Sequence, residues 1–301
     1  MKSFYFLRKK KINSHSNFTA FLPQHLSGKD NVFDFVTTGG LCNRMRSISS
    51  AISLAKDINK KLTVVWFKDF ECNCSFFDLF EPIENVTILE HDANNIFHLV
   101  YKHRTFFQIH FATLYDRALT IEDIRELNST RYNYLEMVNY SSILACTGGV
   151  FHVFPPQFTN FKPILICQEK IESMVQEFNN NTIGVHIRRT DHKKAIEKSP
   201  TPLFVKAMQD ELTKNPSTLF FLATDDPNEE DFIRLTFPGK ILTFPKRSLS
   251  RNKAESIQDA LVDLMCLART KKIIGSYYSS FSKTAEQLGK IPLHVPHINN
   301  C

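Results

Sequence analysis

The chain has 301 residues, 43% hydrophobic and 23% charged, enough to bury one large core or two moderate ones. Its formal charge of +6 is not gathered into a stripe, which argues against a nucleic-acid surface. The one basic run, Arg8-Lys9-Lys10-Lys11, reads as a solvated terminus.

Seven cysteines, an odd number scattered along the chain, argue against a disulfide framework. Cys72-x-Cys74 has no second pair at zinc spacing, so free thiols in a reducing compartment are expected. No stretch approaches about 18 apolar residues, so no spanning helix is expected. The opening MKSFYFLRKKKINSHS has its short apolar segment ahead of the charge run, the reverse of a signal peptide. It reads either as a first strand or as a peripheral segment.

In chain order, VFDFVTT (32–38) predicts a strand that Gly39-Gly40 break. From Leu41, apolar residues at Met45, Ile48, Ile52, Leu54, Ala55 and Ile58 keep helical spacing. KLTVVWF (61–67) predicts a strand, SFFDLFE (75–81) a short helix and NVTILE (85–90) another strand. Between 91 and 150 the pattern is irregular, with HLVYKHRTFFQIHF, an amphipathic stretch around 121–137 and SSILACTGGV. FHVFPPQFTNFKP (151–163), rich in Pro and Phe, suits an ordered crossover between two domains, 1–155 and 156–301.

The second half alternates more regularly. Helices are predicted at 163–178, 201–214, 227–237, 256–270 and 279–289. Strands are predicted at 182–187, 217–225, 240–244 and 271–278. This alternation predicts a doubly wound α/β domain.

In such sheets ligands lie beyond the carboxyl ends of the strands. Four polar clusters fall there. His186, Arg188, Arg189 and Asp191 follow the strand GVHI; arginine forks bind diphosphate, and surface salt bridges are the plain alternative. Asp225-Asp226 follow FFLAT, read as one ligand contact and one helix cap. Ser276 to Ser282, SYYSSFS, offers hydroxyls and free N–H groups at a helix start, for an anion or for ordinary capping. In GGLCNRMR (39–46), Arg44 and Arg46 are two positions apart and cannot share a helix face. One is expected to point into the cleft and the other into solvent. H-E-x-x-H, G-x-S-x-G and a phosphate-loop signature are absent, and no metal site is read.

Taken together, GVHIRRTD, FLATDDP, DALVDLMCLARTKKIIGSYYSSFSKTA and GGLCNRMRSISSAISLAKDINKKLTVVW resemble, in order and spacing, the fucosyltransferase superfamily. This group includes the α1,6, nodulation, bacterial α1,2 and protein O-fucosyltransferases. The resemblance implies an α/β fold of two Rossmann-like lobes facing a cleft, of the GT-B type. The N-terminal lobe (1–155) would be the acceptor side and the C-terminal lobe (156–301) the nucleotide-sugar side.

By the same resemblance the donor is GDP-fucose or a similar nucleotide sugar, and the acceptor a glycan, lipid-linked ones included. Arg189 and Arg188 would contact the diphosphate with Asp191 in support, and His186 would lie near the sugar or diphosphate. Asp226 with Asp225 would approach the nucleotide. Asp263 with Ser279 or Ser280 would complete the pocket, although Asp263 reads by itself as a solvated helix face. Asn43 and Arg44 would reach the donor from the N-terminal lobe.

Inverting transfer without a metal follows if arginines meet the charge building on the leaving diphosphate. The base, a carboxylate or a histidine, is left open, with Asp191 and the acids of the N-terminal region among the candidates. The alternatives are another nucleotide sugar, or nucleotide or glycan binding without catalysis. The chain shows neither the membrane anchor nor the SH3-like tail of animal α1,6 enzymes. It is therefore expected in the cytoplasm, with peripheral membrane contact by its basic N-terminal residues left open. It has Cys42 where bacterial relatives usually have glycine.

Overall fold

A computed structural model describes residues 31–92, 114–190, 193–250 and 252–298. The described strands form two all-parallel sheets of five. The first contains β1 (Val32–Thr37), β2 (Lys61–Lys68), β3 (Val86–Asp92), β4 (Arg117–Leu119) and β5 (Ser142–Thr147), in the order β3-β2-β1-β5-β4. The second contains β6 (Ile183–Ile187), β7 (Phe220–Thr224), β8 (Ile241–Leu242), β9 (Ile273–Gly275) and β10 (Leu293–His294), in the order β10-β9-β6-β7-β8. Central strands such as β5, β6 and β7 are buried throughout, as parallel strands covered by helices on both faces must be.

Helix α1 (Leu41–Asp57) crosses from β1 to β2, burying Met45, Ile48, Ala51 and Leu54 on the sheet. Helix α2 (Ile121–Ser129) starts at Thr120, whose side chain and that of Asp123 form a capping box. The second sheet carries α3 (Leu165–Val175), α4 (Lys193–Lys198), α5 (Thr201–Lys214), α6 (Pro227–Thr236), α7 (Ala254–Ala268) and α8 (Ser280–Gly289). Helix α8 packs on α7 and reaches α1 of the other sheet. One apolar core is therefore continuous from Phe35 and Met45 to Leu261 and Leu264.

The expected helix at 75–81 does not form. Its backbone pairs elsewhere: Ile164 N–H donates to Leu79 O (3.0 Å) and Glu81 N–H to Lys162 O (2.9 Å). Phe76 and Phe80 still bury themselves, against Trp66 and Phe161 at ring separations of 5.6 and 5.3 Å. The strand expected over 240–244 shortens to Ile241–Leu242, and that over 271–278 to Ile273–Gly275. The latter stops because Ser276 turns away to bond the end of β6. The amphipathic stretch resolves into α2 and a 3-10 helix, Tyr134–Asn139. Strands β4, β5 and β10 and helix α4 were not anticipated. Segment 151–163 is irregular but anchored to α1, where Gln157 N–H donates to Ser49 Oγ (2.8 Å) and Ser49 Oγ–H to Gln157 O (2.7 Å).

Residues 1–30 and the stretch HLVYKHRTFFQIHF lie outside the described residues, as does Asp191. The six cysteines within the described residues are buried free thiols. No helix among the described residues is long and apolar enough to cross a membrane.

Candidate active site

A cavity of about 1060 Å³ lies between the two sheets, walled by residues following β1, β5, β6, β7 and β9. β6 and β9 are neighbours whose crossovers lead away in opposite directions, to β7 and to β10, and β1 lies beside β5, the last strand of its sheet. The cavity thus sits where open α/β sheets place their ligands.

On the first wall, the turn Thr38-Gly39-Gly40 leads into α1. Gly39 has φ +84°, and a Cβ there would lie 2.9 Å from Asn43 Nδ2. The start of α1 has no side-chain cap beside the cavity that Asn43 lines, although the Asn43 N–H donates back to Gly40 O (2.9 Å). Gly148, after β5, approaches so closely that a Cβ would stand 2.5 Å from Thr38 O.

Arg44 is not on this wall. It is fully buried, donating from Nε to Gly39 O (2.7 Å) and from Nη1 to Phe67 O (2.5 Å). Its Nη2 makes an ion-pair contact of 2.8 Å with Asp69, and the guanidinium lies 4.6 Å over the Trp66 ring. The expectation that Arg44 reaches the donor is therefore corrected: it braces the glycine turn from behind. Arg46 is the arginine that lines the cavity. Asn43 and Arg46, three apart, share one helix face, and Arg44 points the other way.

On the second wall, Arg188 lines the cavity and pairs with Asp225 at 3.1 Å. Asp225 also accepts from Arg189 N–H (2.8 Å) and from Thr190 Oγ–H (2.6 Å). Burial works against its ionisation, but the Arg188 guanidinium and these donors prevail and hold its carboxyl below the usual range. The Arg189 side chain turns away from the cavity. Its guanidinium is taken by Ser199 O (3.2 Å), Thr201 Oγ1 (3.0 Å) and Glu229 (3.1 Å) and lies over Phe204. Asp226 caps α6, accepting from Asn228 N–H at 2.9 Å, and does not line the cavity. Of the two aspartates, one organises the site and one caps a helix.

His186 is buried on the cavity wall, its Nδ1 2.7 Å from Ser282 Oγ and its ring stacked on Phe281 at 4.8 Å. Burial, with the Arg188 charge, pushes its pKa down to about 3, so the imidazole is neutral near pH 7. Ser276 Oγ donates to His186 O (3.1 Å) and accepts from Arg188 N–H (2.8 Å), locking the strand end. Ser279 caps α8, and both it and Ser280 face the cavity.

Asp263 is not solvated, as its helical position alone suggested. It is buried on the cavity wall, paired with Lys246 at 3.3 Å, while its Oδ1 has no hydrogen-bond partner. Burial raises its pKa to about 7 in spite of Lys246. Cys42 is also buried, its thiol pushed up to about 12 by burial despite Arg46 and Arg188 nearby. Lys246 and Glu71 are wall residues the sequence reading did not single out. Both lie just beyond strand ends, after β8 and β2, and the strand-end rule applied there would have found them. Among the described residues no three His, Cys, Asp or Glu side chains are grouped to hold a metal ion.

No protein-family model and no curated protein sequence matches the chain. Solved structures do. NodZ α1,6-fucosyltransferase, soaked with GDP-fucose, aligns with a TM-score of 0.58 at 19% identity, over 86% of this chain and 93% of that one. The Bradyrhizobium NodZ structure aligns at 0.55 and 17%, over 86% and 94% of the two chains. POFUT1 in complex with GDP-fucose aligns at 0.54 and 10%, over 90% of this chain and all (100%) of that one. The chain shares its fold with these fucosyltransferase structures. Its two parallel sheets are accordingly the two Rossmann-like lobes of a GT-B-like architecture. At such identities the likeness fixes the course of the backbone, and the chemistry must come from the cavity itself.

Proposed function

We propose that the protein is an inverting, metal-independent glycosyltransferase that transfers L-fucose from GDP-fucose to a hydroxyl of a glycan. The observation that carries this reading is the wall itself. Arg188 is held on Asp225 at the end of β6, beside the serine-rich start of α8 and facing the glycine turn before α1. A guanidinium, a helix N-terminus and an uncapped helix start are what a diphosphate needs. The NodZ and POFUT1 structures with GDP-fucose support the same choice of donor.

In this reading Arg188 and the Ser279-Ser280 start of α8 take the diphosphate and stabilise the charge that builds on it as the glycosidic bond breaks. Asp263 Oδ1, an unused acceptor in the wall, meets N–H donors of the base, and Lys246 next to it donates. Arg189 acts at a distance, fixing the 188–190 turn. The acceptor approaches from the N-terminal lobe, and its hydroxyl attacks the anomeric carbon from the face opposite the leaving group. Its proton goes to a carboxylate, since a histidine with a pKa of about 3 is a weak base. Glu71 is the carboxylate that the N-terminal lobe contributes to the described wall.

Calorimetric titration of GDP, GDP-fucose and GDP-mannose without added metal tests the donor, on wild type and Arg188→Ala. Tight GDP binding, lost in Arg188→Ala, with GDP-fucose preferred over GDP-mannose, is the expected result. A folded wild type that ignores all three sinks the donor assignment. Binding without transfer to any glycan acceptor would instead leave a nucleotide-binding protein.

A further inference from the structure

The basic side chains on the cavity wall differ in how their charge is met. Arg188 has Asp225 at 3.1 Å, Lys246 has Asp263 at 3.3 Å and Lys283 has Glu286 at 2.8 Å. Arg125 is exposed on the rim, where water screens it. Arg46 has neither arrangement. It is half-buried, its Nε is shut off from solvent, and among the described residues it has no hydrogen-bond partner on Nε and no carboxylate opposing its charge. The neighbour that acts on it is the Cys42 thiol, which stays neutral near pH 7.

Burying a guanidinium without a counter-charge is unfavourable, and the folded chain keeps one in the wall of this cleft. Position gives the reason. Arg46 shares a helix face with Asn43 and stands beside the Gly39-Gly40 turn, on the wall opposite Arg188. Cys42 feels both arginines, so their charges converge on one region from the two lobes.

We propose that Arg46 is a second diphosphate ligand, supplied by the N-terminal lobe, so that the donor's anion bridges the two walls between Arg46 and Arg188. This rests on the reading of the cleft as a nucleotide-sugar site. The missing counter-charge of Arg46 is then the ligand, and donor binding is coupled to the relative position of the lobes.

The test uses wild type, Arg46→Gln and Arg46→Lys, titrated calorimetrically with GDP, UDP and inorganic pyrophosphate, with thermal midpoints of the ligand-free proteins. Arg46→Gln is expected to weaken the diphosphate that wild type prefers by about ten- to hundredfold, as loss of a charged hydrogen bond does. Arg46→Lys restores part of that loss. The ligand-free midpoint of Arg46→Gln stays level or rises, because an unopposed buried charge has been removed. A merely structural arginine would give the opposite sign, a lower midpoint, and that result overturns the proposal. So does unchanged affinity in Arg46→Gln. If wild type binds UDP and not GDP, the guanine-nucleotide reading fails and Arg46 is judged on UDP. A wild type that binds none of the three overturns both.

Discussion

Arg44 Nη2 lies 2.8 Å from Asp69 Oδ1 inside the N-terminal lobe, with Arg44 wholly shielded from solvent. The same carboxylate accepts from the N–H groups of Glu71 (2.9 Å) and Cys72 (3.1 Å), while Arg44 Nε holds Gly39 O. One buried pair thus fixes two of the loops that carry the N-terminal wall, those after β1 and β2. Arg44→Met leaves Asp69 buried and unpaired, and a loss of about 3–5 kcal/mol in unfolding free energy is expected by denaturant titration. A loss below about 1 kcal/mol would mean the pair is dispensable.

The two adjacent arginines after β6 should separate by assay. Arg188→Met removes a cavity-facing charge and is expected to abolish measurable GDP binding with a modest change in stability. Arg189→Met strands Glu229 and releases the 188–190 turn. It is expected to lower the unfolding midpoint clearly, and to weaken GDP less than Arg188→Met does. The reverse ranking in calorimetry would return the diphosphate to Arg189.

Acid sensitivity follows from His186. Its folded pKa of about 3 lies below the ordinary 6.5, so between these values the unfolded chain binds a proton that the folded protein refuses. The contribution of His186 to stability therefore falls as pH drops from 6.5 toward 3. Asp225, also depressed, adds stability above its ordinary value of 3.8 that is lost as pH falls through its folded value. Asp263, raised to about 7, acts in the opposite sense over the same range, so the difference is the test: as pH falls from 7 to 4 the thermal midpoint of His186→Gln should rise relative to that of wild type. Parallel curves would show that His186 is not the group responsible.

Asp263 makes a different pH prediction, for binding. With a pKa of about 7, its carboxylate is increasingly available as an acceptor as pH rises through 7. The ratio of wild-type to Asp263→Asn affinity for GDP, measured from about pH 6 to 8, should rise with pH, and the phosphate's own titration cancels in it. A flat ratio would remove Asp263 from the base contact.

Glu71 is set on the wall by the Arg44–Asp69 pair. Glu71→Gln is expected to cut transfer from GDP-fucose about a hundredfold or more, the scale of a lost general base, with GDP affinity unchanged. Full turnover in the variant would assign the proton elsewhere.

Much of this was legible in the chain itself. The strand 182–187, the helix entered at Thr201-Pro202 and the helix begun at Ser279 are written in local terms, as apolar period and cap, which neighbours in sequence suffice to specify. The strand-end rule likewise pointed to His186, Arg188, Asp225 and Ser279. The segment 75–81 has the same kind of helical spacing but gives its backbone to residues 162–164, a partner no local pattern names.

Tertiary structure alone decided which member of each polar pair serves the cavity. Adjacent residues after a strand point apart, as do helix residues two positions apart, so the chain dictates that Arg188 and Arg189, or Arg44 and Arg46, diverge. Which one turns inward depends on where a counter-charge waits: Glu229 for Arg189 and Asp69 for Arg44. Those carboxylates arrive from other parts of the fold, and only the assembled lobes leave Arg188 and Arg46 facing the cleft.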